Sequence, residues 1–505
     1  ENKMLAQYGL KDDYKPVPFI PTTPYDPTAY LCYVPITLDK NGFKQMFTKE
    51  GEIIEDHTIV EFSYDMTKEN HFKWVPLRVR YDKTAEYRRG LKNFGNSYLV
   101  ANSNWNSIHN PITPLMIRTG NGIPIDTGND DVYYNKESGE SLTTPLRHFH
   151  NLFVKRTLLQ AVCRPNDKLI DFAIGKGGDI QKFLENKLRF VYGIDISRDN
   201  IQNRLDGACA RYLSKKKTNN KMFKAVFLPG DSSKNIKMGQ SFDNEKNRNI
   251  NNALQGIGPK DKQILGENIY NMYGITKGGF NVGSIQFAIH YMFQSNESLH
   301  EFLRNVSDHI QVGGYFVGTT YDGERVFNYL QGLEKGDSKI LMLKNKKIWE
   351  IKKQYDVDIF EGNESSIGYA IDVYQETINK YFREYLVNFK YLTKMMEDYG
   401  FIALPKDEAV KIGLSDGIDS FKSCFTKMES LIKSDKRHKT SLGDSFKMTP
   451  EEKTISFLNN YFVYKKIRNV DTRQMFKLHT KIKSTQDDVV IYKPKKLKLK
   501  IKLVD

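Results

Sequence analysis

The glycine run Gly175-Lys176-Gly177-Gly178-Asp179 follows directly on the apolar segment Lys168-Leu169-Ile170-Asp171-Phe172. A strand that ends in clustered glycines lets backbone N–H groups come close to a bound nucleotide. Twenty residues after Gly175 stands Asp195, in Tyr192-Gly193-Ile194-Asp195. An acid at the end of a second strand can accept both hydroxyls of an adenosine ribose, whether the ligand is NAD or S-adenosylmethionine. A solvated strand-end carboxylate is the competing reading of Asp195 taken alone. The loop departs from the Gly-x-Gly-x-x-Gly dinucleotide fingerprint and has a lysine at its centre, which favours S-adenosylmethionine. Lys176 would then meet the amino-acid carboxylate and Asp171 the ammonium or the loop amides. Asp231, after Val226-Phe227-Leu228, would stand near the adenine.

These residues need a parallel sheet to position them. Apolar residues at mostly helical spacing predict a helix over Leu146–Val162, followed by a strand at Lys168–Phe172, a helix at Ile180–Glu185, a strand at Phe190–Ile194 and a helix at Asn200–Leu213. That alternation is the βαβ rhythm of an α/β, Rossmann-like domain with right-handed crossovers. Further strands are expected at Val282–Ile285, Tyr315–Thr319 and Tyr461–Tyr464. The Asn- and Lys-rich insertion from Lys234 to Gly279 reads as surface and partly disordered. Upstream, Tyr30–Ile36, Thr58–Tyr64 and Trp74–Arg80 read as strands of a small β-rich domain over residues 1–125, with a polar linker over 126–143 and the larger domain over 144–505. The strictly alternating Lys495–Leu503 suits a lysine-protected edge strand or a basic tail.

A formal charge of +15 over 505 residues points to a polyanionic partner. Cys32, Cys163, Cys209 and Cys424 lie far apart, so neither a disulfide framework nor a zinc site is signalled, and a reducing compartment is the natural setting. No metal is expected. No apolar run is long enough for a membrane span, and no membrane partner is expected. The opening, Glu1-Asn2-Lys3-Met4, reads like the interior of a longer polypeptide.

The glycine run, Tyr192-Gly193-Ile194-Asp195-Ile196 and above all Gln286-Phe287-Ala288-Ile289-His290-Tyr291-Met292-Phe293 resemble the mRNA cap guanine-N7 methyltransferases. The resemblance continues through Gly313–Thr320 and Glu384-Tyr385-Leu386-Val387, and covers about Leu146 to Lys466. Phe149-His150-Asn151 with Lys155 is similar to that family's Asn/Lys helix, although His150 departs from its usual spelling. The insertion, with Asn252-Ala253-Leu254 and Tyr273-Gly274-Ile275, is more like the capping enzymes of large cytoplasmic DNA viruses, which implies a viral protein of the host cytoplasm or virion. Ile59-Val60-Glu61-Phe62 and Trp74–Thr84 resemble the oligonucleotide-binding-fold (OB-fold) lobe that ends a guanylyltransferase, where Arg78, Arg80, Asp82 and Lys83 would face the GTP triphosphate. The chain contains no Lys-x-Asp-Gly nucleophile, so the catalytic half of such an enzyme, with any triphosphatase, would lie upstream in the same polypeptide.

The resemblance implies a class I S-adenosylmethionine methyltransferase acting on the GpppN end of mRNA. It assigns Lys155, Asp171, Gly175, Lys176, Asp195, Asp231 and Gln286 to the methyl donor, and Asn151, Phe287, His290, Tyr291, Glu384 and Tyr461 to the cap. Guanine N7 carries a free lone pair at neutral pH, so no general acid or base is expected and His290, Tyr291 and Glu384 would act by positioning. A noncatalytic RNA-binding or stimulatory capping subunit, or a methyltransferase of another RNA base, is the competing reading. A separate stimulatory subunit remains compatible with either.

Overall fold

The computed structural model describes residues 17–111 and 141–480, apart from 22, 23, 25, 92, 93, 110, 377, 379 and 436. The alternating Lys495–Leu503 and most of the expected linker lie outside the described residues.

The apolar runs form the strands expected of them. β5 (Lys168–Asp171), β6 (Phe190–Asp195), β7 (Lys224–Pro229), β8 (Phe280–Gln286) and β9 (Ile310–Tyr321) lie parallel in the order β7-β6-β5-β8-β9. β16 (Asn459–Lys466) then pairs antiparallel with β9, and β14 (Phe401–Ala403) and β15 (Ile418–Ser420) pair antiparallel with β16. β5 and β6 are buried throughout, as strands covered on both faces must be. One face carries Phe149, Leu158, Leu159, Phe183, Phe421 and Phe425, the other Phe172, Phe302, Leu303, Phe316, Tyr399 and Phe462. Helix Asn296–His309 buries Leu299, Phe302, Leu303 and Val306 on one stripe, and a capping box between Ser295 and Ser298 fixes its start. The strand order reverses between β5 and β8, which opens a crevice at their carboxyl ends. This is the Rossmann-like methyltransferase architecture expected from the sequence.

Between β9 and β14 the chain builds a second, antiparallel sheet of β10 (Ser338–Leu343), β11 (Lys346–Lys353), β12 (Ala370–Gln375) and β13 (Lys380–Tyr385). Trp349 is fully buried beneath it and donates to the Tyr321 hydroxyl at 3.1 Å, tying this sheet to the end of β9.

One expectation is corrected. The insertion after β7 is built into the core: Ile236, Phe242 and Leu254 join the apolar cluster, and Asn251 donates to Ile236 O and accepts from the Tyr192 hydroxyl. Its asparagines are polar groups satisfied in the interior rather than marks of disorder. Upstream, among the described residues, β1 (Ile36–Leu38) pairs with β2 (Lys44–Met46), and β3 (Val60–Tyr64) with β4 (Trp74–Val79). Backbone bonds from Lys49 N to Pro76 O at 2.8 Å and from Glu50 N to Leu77 O at 3.2 Å link the segment after β2 to β4. The interior of this region is aromatic, with Tyr64 at 4.8 Å from Trp74 and 5.0 Å from Trp105. The two indole N–H groups are taken by Ala29 O and Pro24 O.

Candidate active site

Helix Thr144–His148 does not run straight into helix Lys155–Val162; Phe149–Val154 between them form a π-helical turn, a feature common at functional sites. Phe149 and Phe153 still face the core. Arg147, Asn151 and Lys155 form a ladder on the opposite side, Asn151 donating to Arg147 O at 3.0 Å and accepting from Lys155 Nζ at 3.5 Å. All three line a cavity of about 460 Å³ at the carboxyl ends of β5 and β8.

At one end of this cavity lies the glycine loop. Gly175 and Gly177 have φ of +55° and +72°, and a Cβ on Gly177 would come within 2.5 Å of Ile180 Cδ1. Asp195 braces the loop from behind: Oδ2 accepts from Gly175 N at 2.7 Å, and Oδ1 from Ser197 N and Asn200 Nδ2. Its carboxyl is nevertheless pushed above the usual range by burial. Lys176 is clamped by Asp206 at 2.9 Å and Asp199 at 3.2 Å. Asp179 bridges Lys155 at 2.8 Å and Lys182 at 2.7 Å, and these cations bring its pKa to about 2 against the opposing cost of burial. Asp171, buried behind the loop with only Ala173 N donating to it, is pushed up to about 8 by burial and by the charge of Asp179.

The cavity's other end is formed by the turn after β8 and by β13. Phe287 adopts φ of +55°, strained for a side chain with a Cβ, and its N–H is fixed on Thr319 O at 2.8 Å. Its ring stacks on His150 at 5.3 Å and 22°, and His150 Nε2 is hydrogen-bonded to Ser456 Oγ at 2.9 Å. Gln286 is held between Thr319 Oγ1 and Ser284 Oγ. His290 and Glu384 are both buried, with His290 Nε2 and Glu384 Oε2 3.7 Å apart. Neither of those atoms, nor His290 Nδ1, makes a hydrogen bond among the described residues. Desolvation lowers the His290 pKa to about 3 and raises that of Glu384 to about 8.

Of the residues expected from the sequence, Asn151, Lys155, Gly175, Lys176, Gln286, Phe287, His290 and Glu384 share this one cavity. Asp171 and Asp195 stand behind its loop, and Tyr291 packs its ring 4.2 Å from His290 without joining the wall. Asp231 and Tyr461 lie outside. Asp231 closes a local turn by accepting from Ser233 N and Oγ, while Tyr461 is buried in the core and donates to Asp416 O at 2.9 Å. Asp179, Asp206, Arg147, Arg211, Tyr321 and Asn459 line the cavity without having been singled out in the sequence. Arg78 and Arg80 of the upstream region are paired with Glu61 and Asp82, and Lys83 with Glu86, so their charges are balanced locally.

The loop end suits the methyl donor. It sets carboxylates and cations side by side as an amino-acid group requires, and Gly178 has open space where its Cβ would stand. Buried polar atoms without partners at the other end call for a ligand that brings its own hydrogen-bonding groups.

A probable mRNA-capping enzyme of Acanthamoeba polyphaga mimivirus is 30% identical over 396 residues, covering 72% of this chain and 32% of that protein. An mRNA-capping enzyme of African swine fever virus (isolate Tick/South Africa/Pretoriuskop Pr4/1996) is 22% identical over 407 residues, covering 80% of this chain and 40% of its own length. The mRNA cap guanine-N(7) methyltransferase 1 of Arabidopsis thaliana is 28% identical over 218 residues, covering 41% of this chain and 49% of that one. This chain thus spans 32% to 49% of the length of these relatives. Residues 131–467 match the mRNA (guanine-N(7))-methyltransferase domain, and the chain belongs to that S-adenosylmethionine-dependent family.

Proposed function

We propose that this chain transfers a methyl group from S-adenosylmethionine to N7 of the terminal guanine of a GpppN RNA cap. The donor supplies an activated sulfonium methyl, and N7 supplies the lone pair, so the protein's work is to align two ligands in one dry cavity. Lys155 and Lys176 suit the donor's carboxylate, Asp171 and Asp179 its ammonium, and Asp195 shapes the loop beneath its ribose. Asn151, Phe287, His290 and Glu384 take the guanine: Glu384 accepts from the ring N1–H and the exocyclic amine, and its charge favours the cation that forms on the methylated ring. The observation that carries this reading is the unsatisfied His290–Glu384 pair, in the same cavity as the glycine loop.

The viral relatives, both named as capping enzymes and much longer than this chain, support placing it in a larger polypeptide with an upstream guanylyltransferase portion, working in host cytoplasm or virion. The test is methyl transfer from labelled donor to GpppA and to the same RNA without a cap. Product digestion should place the label on guanine N7 of the capped substrate alone. Transfer to uncapped RNA, or label at another position, would overturn the proposal.

A further inference from the structure

On the opposite edge of the main sheet a second cavity, of about 550 Å³, crosses the amino ends of the parallel strands. Lys168 opens β5, Arg189 precedes β6, Lys224 opens β7, Lys221 lies in the loop before it, and Lys277 lies in the loop before β8. Leu188, Met222, Phe223 and Ile275 supply an apolar floor, and among the described residues no carboxylate lines the groove. Many cations of this chain are paired with acids, yet the side chains of Arg189, Lys221, Lys224 and Lys277 have no ion-pair or hydrogen-bond partner among the described residues. Lys168 donates only to Ile275 O at 3.2 Å, and burial together with the neighbouring Arg189 charge lowers its pKa. Asp167, the nearest acid in sequence, turns its Oδ2 to Arg164 N instead. Helix Ala208–Thr218, whose last turn is Lys215-Lys216-Lys217, leads into Lys221, and its Tyr212 hydroxyl donates to Phe223 O under the floor.

Five like charges converging on one groove repel each other, and that arrangement is relieved by a polyanion. We propose that this groove binds the phosphodiester backbone of the transcript downstream of the cap, a second RNA contact separate from the methyl-transfer cavity. This rests on the reading of the substrate as capped RNA, which brings a polyanion tethered to the active site. Lysine and arginine heads over an apolar floor suit single-stranded RNA, since phosphates meet the cations and bases meet the apolar surface. The groove lies at the other end of β6, a six-residue strand about 20 Å long. A cap dinucleotide therefore reaches only the cavity, while a transcript several nucleotides longer reaches both.

The experiment compares wild type with the triple variant Lys221→Ala, Lys224→Ala, Lys277→Ala, and with Lys224→Glu alone as a lighter change. Methylation of GpppA should be equal in all three, which also certifies folding. For a long capped transcript KM should rise about tenfold in the triple variant, and the slope of log affinity against log salt should fall by about two. Equal KM values on long RNA, or equal losses on GpppA and long RNA, would overturn the groove's role. Filter binding of long uncapped RNA separates the two readings: a weakened variant there supports the groove even if GpppA proves not to be the acceptor. Binding of polyglutamate as tight as that of RNA, and equally sensitive to the variant, would point to an acidic protein and reject the RNA proposal.

Discussion

His290 Nε2 and Glu384 Oε2 face each other across 3.7 Å, buried and without hydrogen bonds among the described residues, one contributed by the turn after β8 and the other by an inserted sheet. Burial makes both groups neutral near pH 7, since His290 titrates at about 3 and Glu384 at about 8. A guanine offering two N–H donors would restore the carboxylate's preference for its charged form.

A pH dependence of cap binding follows. Below about pH 8 the ligand-free Glu384 holds a proton that guanine binding must release. KM for GpppA should therefore fall as pH rises toward 8 in wild type and stay nearly flat in Glu384→Gln. Steady-state kinetics at fixed, saturating donor reads this directly, and a pH-independent wild-type KM would remove Glu384 titration from binding.

The same shift has a consequence for stability. Glu384 and Asp171 bind protons more tightly folded than unfolded, so their contribution is full below their ordinary values and is lost as pH rises through about 8. His290, His150 and His300, lowered to about 3, act in the opposite sense and only below their ordinary value of 6.5. Between pH 6.5 and about 8 these acids alone among the five set the slope, and ligand-free Tm should drop. Glu384→Gln should lose part of that slope, a term on the order of a few kcal/mol in wild type. Identical Tm profiles for the two proteins would contradict the carboxyl's burial.

Asp195→Ala should weaken S-adenosylmethionine and its demethylated product together, by tenfold or more, because it releases the Gly175 N–H as well as any ribose contact. Calorimetry without added metal measures both ligands. Unchanged affinities would take Asp195 out of the cofactor site.

Much of this site is written locally in the sequence. The glycine loop, Asp195 and the Gln286–His290 string each sit within a few residues of a strand end, so period and turn chemistry place them. What sequence reasoning missed depends on distant packing. Asp179 becomes a site residue because Lys155 arrives from another helix, and Asn459 because β16 lies beside β9. Glu384 was legible only by resemblance: the antiparallel sheet that buries it has no signal at residue 384 itself. The insertion was misread because its asparagines look solvated in sequence, while Asn235, Asn247 and Asn251 are buried and bonded in the fold. Tyr461 lies outside the cavity, and a strand tyrosine reads alike in sequence whether its hydroxyl meets a ligand or, as here, Asp416 O.

The upstream region should form no covalent adduct with GTP, since the chain has no Lys-x-Asp-Gly and the charges of Arg78, Arg80 and Lys83 are already paired. Incubation with α-labelled GTP and denaturing electrophoresis tests this. Label retained on the chain would mean that a nucleophile has been overlooked.

The central claim is that one cavity holds the methyl donor at the glycine loop and guanine at His290–Glu384, and Glu384→Gln separates the two ends most directly. The substitution keeps the size but turns one acceptor oxygen into a donor facing guanine's own donors, and it removes the charge that favours the methylated ring. The account predicts a loss in kcat/KM for GpppA of about 2 to 3 kcal/mol, roughly thirty- to over a hundredfold, with S-adenosylmethionine affinity unchanged. Full methylation of GpppA by this variant, or loss of donor binding along with it, would contradict the assignment of the guanine pocket.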